Sequence, residues 1–441
     1  MGEFESGMRR DSGRRLTRRR FVGGAVLLSG GTLLAACGAT TTPPTGAILA
    51  STPAASTAAT GVVGVPATAT RATPPAGTPT RTAPSAAATR TVVGAAATEL
   101  GRLLGLVPQT GELPGRNGIW FADAVRQKRN YGFEGVISPD AARAVPGGLT
   151  RFTNTVGSLP FPNEVGLEHA ADPRWRATLG YDFWQIERTI SGGDLPRVWG
   201  RMEGRFDRAA IETTLLGQGY VTTPYRERTY LSRLGDAEIK RDDPLSQLVF
   251  SRLNRVVIEE GALGNAATTA TIEAGIDAAT GRRPTFAADP DYAALALALG
   301  SVVGAVLLPA DEIYRSPAPA RATTAVATRY VAPAHPRLSP YRLVGLGLRD
   351  DGATHTMVVA LVYGDAAEAQ AAAPILRQRA EDYTLVRTGQ RLRERAIPGE
   401  PEVVAAGGRA VLVQPFAIAA EADLSLYLKM YNTLDLLFLA E

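Results

Sequence analysis

The chain has 441 residues, of which 45% are hydrophobic, 20% charged and 7% aromatic, with one cysteine, three histidines and a net charge of +4. That is enough apolar material for one large domain or two ordinary ones, which excludes a wholly disordered chain. A single Cys excludes a disulfide framework and any cysteine-based zinc or iron–sulfur site, and three His leave little room for a histidine-rich centre, so no metal and no cofactor is expected.

The charge is unevenly placed. Residues 1–37 carry seven Arg against Glu3, Glu5 and Asp11, residues 38–98 add Arg71, Arg81 and Arg90 with no acid, and the remaining 99–441 hold 37 basic against 40 acidic residues. The high pI therefore comes from the first two segments. A body near neutrality gives no reason to expect nucleic acid as a partner.

At the N-terminus, Thr17-Arg18-Arg19-Arg20-Phe21-Val22 leads into the uncharged stretch Val22–Ala36, which closes on Leu34-Ala35-Ala36-Cys37. The first segment resembles a twin-arginine export motif, with Arg18, Arg19 and Phe21 as its characteristic residues. The last resembles a bacterial lipobox, and that resemblance implies lipidation of Cys37, which becomes the mature N-terminus. The apolar stretch has the length of a signal-peptide core and is short and glycine-rich for a membrane span. Residues 1–36 are therefore expected to be a signal peptide. The implied partners are the twin-arginine translocase, the lipoprotein-processing enzymes and, through the lipid, the membrane. The implied location is the extracytoplasmic face of the bacterial cell membrane.

Residues 38–98 comprise 61 residues with 18 Ala, 16 Thr and 8 Pro, no aromatic and no acid. Such a segment buries too little apolar surface to offset the entropy of ordering, so 37–98 reads as a lipidated Cys followed by a disordered tether. A flexible chain of that length spans roughly 40–45 Å.

The body begins near Glu99. The pattern predicts helices over 99–105, 123–130, 207–217, 243–253, 268–280 and 365–383, the last bent near Pro374, and a closing helix over 422–438. Strands are expected at 118–121, 182–190, 197–203, 228–233, 256–259, 262–263, 342–349, 355–363 and 409–414, with Ser191–Asp194 and Asp350-Asp351-Gly352 as hairpin turns. Tyr292–Ala310 has nineteen residues without a charge, yet Gly300-Ser301 interrupts it and Val302–Leu308 is β-rich. It reads as a buried helix followed by a buried central strand. Residues 316–340 repeat the Pro/Ala/Thr flavour of the tether.

The expected fold is α+β in two domains, 99–315 and 341–441, joined by a 316–340 linker. The two are similar halves of hairpin-helix-strand units, in the manner of ferredoxin-like sandwiches.

No nucleotide-binding loop, zinc-helix motif or nucleophile elbow occurs where its mechanism needs it. The densest polar cluster is Glu164, Glu168, His169 and Asp172, a weak acid–base candidate. His335 and His355 stand alone and read as surface residues. Arg391, Arg393 and Arg395 alternate along what would be an extended cationic edge. Trp175, Trp184 and Trp199 lie close in sequence and could stack on a ligand, although strand alternation assigns at least part of the set to the core. The first functional reading is a lipid-anchored binding or interaction protein of the cell envelope, its partner an envelope polymer or small ligand. The alternative is an envelope hydrolase using carboxylates near Glu168 and His169.

Overall fold

The computed structural model describes residues 88–91, 98–111, 113–115, 118–162, 165, 170, 172–314, 336–433 and 435–439. They belong to one compact unit, Pro84–Glu441. The chain opens with β1 (Ala88–Thr91), α1 (Glu99–Leu104), β2 (Ile119–Asp123), α2 (Ala124–Asn130), α3 (Pro139–Ala144), α4 (Gly148–Thr155) and α5 (Pro173–Leu179). Next come β3 (Ile186–Asp194), β4 (Arg197–Gly204), α6 (Arg208–Gly217), β5 (Val221–Tyr225), β6 (Arg228–Ser232), α7 (Pro244–Val249), β7 (Arg255–Glu259), β8 (Ala262–Ala266) and α8 (Thr269–Ala279). The remainder is α9 (Pro290–Leu299), β9 (Gly304–Pro309), α10 (Ala310–Tyr314), β10 (Leu343–Asp350), β11 (His355–Tyr363), α11 (Ala366–Asp382), β12 (Ala396–Pro398), β13 (Glu402–Ala406), β14 (Arg409–Ile418) and α12 (Leu426–Asn432).

The helix starts follow from their caps. Asp123, Asp207, Asp243, Asp289 and Asp365 each accept a backbone N–H of the first turn, and Pro244 and Pro290 follow their caps at positions where no donor is lost.

All fourteen strands among the described residues join one sheet in the order β1-β13-β14-β11-β10-β9-β2-β3-β4-β8-β7-β6-β5, with β12 beside β14. The class is α+β. Helices cover both faces. On one lie α2, α4, α5, α6, α11 and α12, with Phe152, Trp175, Ile211, Leu376 and Tyr427 in their core; on the other lie α1, α8 and α9, with Leu103, Ile272, Leu295 and Leu299. Strand β11 shows why. Met357, Val359 and Leu361 enter the first core and Val358, Ala360 and Val362 the second, so a continuous apolar run is buried on both sides. In β10, Gly345 and Gly347 let α9 close in: a methyl at Gly345 would sit 3.0 Å from Leu295 and Leu299, and one at Gly347 2.9 Å from Val302.

Two stretches repeat one order. Hairpin β3–β4, helix α6 and hairpin β7–β8 pair as β3-β4-β8-β7; hairpin β10–β11, helix α11 and hairpin β13–β14 pair as β10-β11-β14-β13. Helix α11 leads to β13–β14 past the short β12, whereas hairpin β5–β6 and α7 also intervene between α6 and β7–β8; in both sets the inner strands meet antiparallel. A split βαβ unit would instead bring a parallel pair together, so the order differs from the ferredoxin-like expectation.

The boundary drawn at 316–340 does not divide the sheet. Strand β9 pairs with β10 along six residues, so each supplies the hydrogen bonds the other's edge would otherwise lack. Most of the expected linker lies outside the described residues. Of the tether, Ala88–Thr91 is a strand running parallel to Glu402–Ala405, where disorder was expected; its backbone groups find partners on the open edge of β13.

Other departures are local. Strand β3 runs through Ser191–Asp194 and the turn falls at Leu195-Pro196, because the pairing with β4 continues to Asp194–Arg197. The nineteen-residue apolar stretch resolves into α9, Gly300 and the central strand β9, and no helix among the described residues is long and apolar enough to cross a membrane. The closing helix shortens to α12, since the buried Asp435 carboxylate accepts from the Tyr383 hydroxyl and the Val386 N–H and turns the chain aside. Arg391–Arg395 is not an extended edge. Leu392–Glu394 forms a short 3-10 turn with Leu392 buried, and Arg395 pairs with Asp423.

Candidate functional site

Of the residues singled out in the sequence, those that the structure describes do not converge. Glu164, Glu168, His169 and His335, together with Arg18, Arg19, Phe21 and Cys37, lie outside the described residues. Asp172 caps α5, accepting from the Arg174 N–H at 3.0 Å, and its carboxylate pairs with the Arg174 side chain at 2.7 Å. Trp175, Trp184 and Trp199 are core residues, 1%, 3% and 1% exposed. The Trp184 indole donates to the Ala170 carbonyl at 2.8 Å and that of Trp199 to the Leu106 carbonyl at 3.1 Å. Rings so enclosed are out of reach as stacking platforms. Among the described residues no group of three or more His, Cys, Asp or Glu is placed to hold a metal ion.

Two polar arrangements emerge instead. The first is centred on Asp350, whose side chain is fully buried. Its Oδ2 accepts from Gln127 at 2.7 Å and from the Tyr131 hydroxyl at 2.9 Å, while its Oδ1 meets His355 Nδ1 at 3.0 Å and accepts the Gly352 N–H at 2.8 Å. Asn130 adds a bond to the Asp350 carbonyl. Burial, then the Asp350 charge, pushes the Tyr131 hydroxyl upward, so it stays a donor. With two partners on each oxygen, the acceptor capacity of the carboxylate is filled. The cluster therefore ties α2 to the β10–β11 turn and leaves no lone pair for a substrate. His355 belongs to it and is not the isolated surface residue its sequence context suggests.

The second is a depression on the opposite half of the same face, lined by Gly118, Trp120, Pro162, Ser191, Gly192, Gly193, Val198 and Arg252. Trp120 and Ser191 in this lining belong to one rung of the sheet. Trp120 registers with Ser191, Ser191 with Gly200, and Gly200 with Asn265, so these residues share a face and Gly200 leaves room between the polar pair. Ser191 is 7% exposed. Two residues along the same face of β3, the Thr189 hydroxyl is buried without a hydrogen-bond partner. Trp120 forms one wall, its ring edge-on to Tyr431 at 5.4 Å.

Arg252 also lines the depression, on a turn held by several hydrogen bonds. Asn265 donates to the Arg252 carbonyl at 3.2 Å, the Tyr220 hydroxyl to the Leu253 carbonyl at 2.5 Å, and Asn254 N–H to Ser251 at 3.0 Å. The turn begins at Phe250, whose φ of 57° is unfavourable for a residue with a side chain. Sequence reading missed this site because Ser191 looked like turn chemistry, and because nothing local connects residues 120, 191 and 252. The one legible signal was a pair of hydroxyls, Thr189 and Ser191, alternating about Ile190 in β3.

Fold and site together define an α+β sheet protein, covered on both faces, with a small depression on one of them. No family model and no curated protein matches the chain. Among solved structures, crystal form I of TP0453 is similar at 9% identity and a TM-score of 0.33, covering 75% of this chain and 97% of that one. Crystal form IV of TP0453 gives 10% identity and 0.34, covering 74% and 95%. Both scores are below 0.5, so the functional reading rests on this chain's own residues.

Proposed function

We propose that the chain is a lipid-anchored extracytoplasmic protein of the cell envelope, whose body binds a ligand in the depression beside Arg252. Arg18, Arg19 and Phe21 direct export, Cys37 carries the lipid, and the Ala/Thr/Pro-rich stretch holds the body away from the membrane. The repeated hairpin-helix-hairpin order supports an origin by duplication of one half.

The observation that favours binding over hydrolysis is the contrast between the two polar arrangements. The Asp–His–Tyr cluster has its carboxylate saturated, whereas the depression is a concave surface lined by the Ser191 strand segment and the Trp120 ring.

Anchoring is tested by Cys37→Ala. The two-chain modification that follows a lipobox suffices for stable attachment, each buried methylene contributing about 0.8 kcal/mol. The variant should leave the membrane fraction and appear in a carbonate wash, and a variant that stays membrane-integral refutes the anchor. An activity lost with Glu168→Gln and His169→Ala in a still-stable protein would replace binding with hydrolysis.

A further inference from the structure

We infer that the depression is a subsite for one ring of a neutral glycan, with the Trp120 indole as its stacking surface and the Ser191 hydroxyl as its polar contact; this rests on the binding reading and narrows it to a chemical class.

Three observations carry the inference. The first is the aromatic. Of the four tryptophans, Trp175, Trp184 and Trp199 are enclosed, whereas Trp120 is half-buried and borders the depression. The C–H face of a pyranose is apolar, and its weakly positive hydrogens match the electron-rich face of an indole. The second is the hydroxyl. Ser191 is 7% exposed and stands directly opposite Trp120 in the β2–β3 pair. Residues so paired hold their Cβ atoms about 5 Å apart on one face of the sheet, so one sugar can meet both. A serine hydroxyl donates and accepts, as the hydroxyls of a sugar do. The third is the balance of charge. Arg252, the one charged residue in the lining, is engaged in an interaction of its own, and the remaining lining residues are glycines, Pro162 and Val198. An anion would have to give up its hydration there without a cation in return, a cost that a neutral ligand avoids.

The ring is also preorganised. The Trp120 indole N–H is directed at the Tyr431 hydroxyl, and the two rings meet edge-on at 5.4 Å and 84°. Strand β2, which carries Trp120, is paired on both sides, by β9 and by β3. A ring fixed in this way loses little freedom when a ligand stacks on it. Gly118, Gly192 and Gly193 add no side chain to the rim. The shape suits one ring of a chain that continues across the surface, and not a ligand enclosed on all sides.

The test is calorimetric titration of the full chain carrying Cys37→Ala. The neutral probes are maltohexaose, cellohexaose and N-acetylchitohexaose, and hexagalacturonic acid is the acidic control. Saturable binding of at least one neutral probe is expected, tighter than that of the acidic control. It should be accompanied in the unsubstituted site by a change in tryptophan emission, since Trp120 lines the depression. Trp120→Ala should weaken binding by roughly tenfold and Trp120→Phe, which keeps a smaller ring, by less. Ser191→Ala should weaken it by about threefold with an unchanged melting temperature. Should Trp120→Ala fail to fold, Trp120→Phe and Ser191→Ala carry the comparison. No binding of any neutral probe, tighter binding of the acidic control, or unaltered binding in the Trp120 and Ser191 variants overturns the glycan assignment. The reading beneath it falls on different results, namely an activity lost with Glu168→Gln and His169→Ala, or a Cys37→Ala chain that stays membrane-integral.

Discussion

At Lys128 a cation sits 2% exposed, its ammonium donating to the carbonyls of Trp184 at 3.0 Å and Ile186 at 3.3 Å. Burial lowers its pKa to about 8, helped by the like charge of Arg205 and opposed by Glu187 and Asp182. Free lysine titrates near 10.5, so between pH 8 and 10.5 the unfolded chain binds more protons than the folded one, and stability climbs with pH across that window. Below pH 8 both states are protonated and the penalty is fully present, about 3 kcal/mol for the whole gap. Denaturation at pH 7.5 and pH 10 should therefore show wild type gaining about 2 kcal/mol relative to Lys128→Met. An equal pH response in the two proteins would mean that the ammonium is not desolvated. In sequence, Arg-Gln-Lys-Arg-Asn looks like a solvated stripe; what hides Lys128 is the aromatic layer that α4 and α5 place over that side of α2.

Strand β8 and helix α8 meet around one indole. An ideal methyl at Gly275 would lie 2.3 Å from the Trp199 ring, and one at Gly264 2.7 Å from it. Glycine inside a helix ordinarily costs about 1 kcal/mol against alanine. Here the missing methyl is the slot that Trp199 fills, with its N–H bonded to Leu106. Gly275→Ala should thus lower stability by about 1–3 kcal/mol, against the direction of helix propensity, because overpacking a rigid ring outweighs the gain. A raised melting temperature for Gly275→Ala would show that α8 can slide away from β4. The spacing of Ile272 and Ile276 made the helix legible from sequence; its glycine gave no hint of what it accommodates.

The whole sheet has two ends, and they are protected differently. At one, β5 carries Pro224, which cannot donate to a further strand. At the other, Ala88–Thr91 covers β13, and it is the one parallel pairing among the described strands. The chain thus reaches the body at the edge of the sheet, ahead of α1. Thr89→Pro removes a backbone donor from β1 and should speed amide exchange across Glu402–Ala406 while leaving β10 and β11 protected, as read by hydrogen exchange. Unchanged exchange at β13 would remove β1 from the sheet. The same continuity explains why residues 99–315 and 341–441 read as two domains yet form one body. Each has its own hairpin-helix-hairpin set, and β9 and β10 join them in the middle.

By itself the sequence determined what is local. Export and lipidation signals are short linear patterns, helix starts are capped by the residue just before them, and hairpins such as β10–β11 announce themselves by Asp-Asp-Gly between apolar runs. Burial on both faces was also legible where the run was unbroken, as in β9 and β11. The tertiary structure alone decided what depends on distant partners. It closed the sheet across the expected domain boundary, and it enclosed Trp175, Trp184 and Trp199. It also bonded Asp350 to donors more than two hundred residues away, and brought residues 120, 191 and 252 to the rim of one depression. Strand pairing and side-chain convergence are properties of the packed chain, because each needs hydrogen bonds and contacts between segments whose sequences carry no mark of one another.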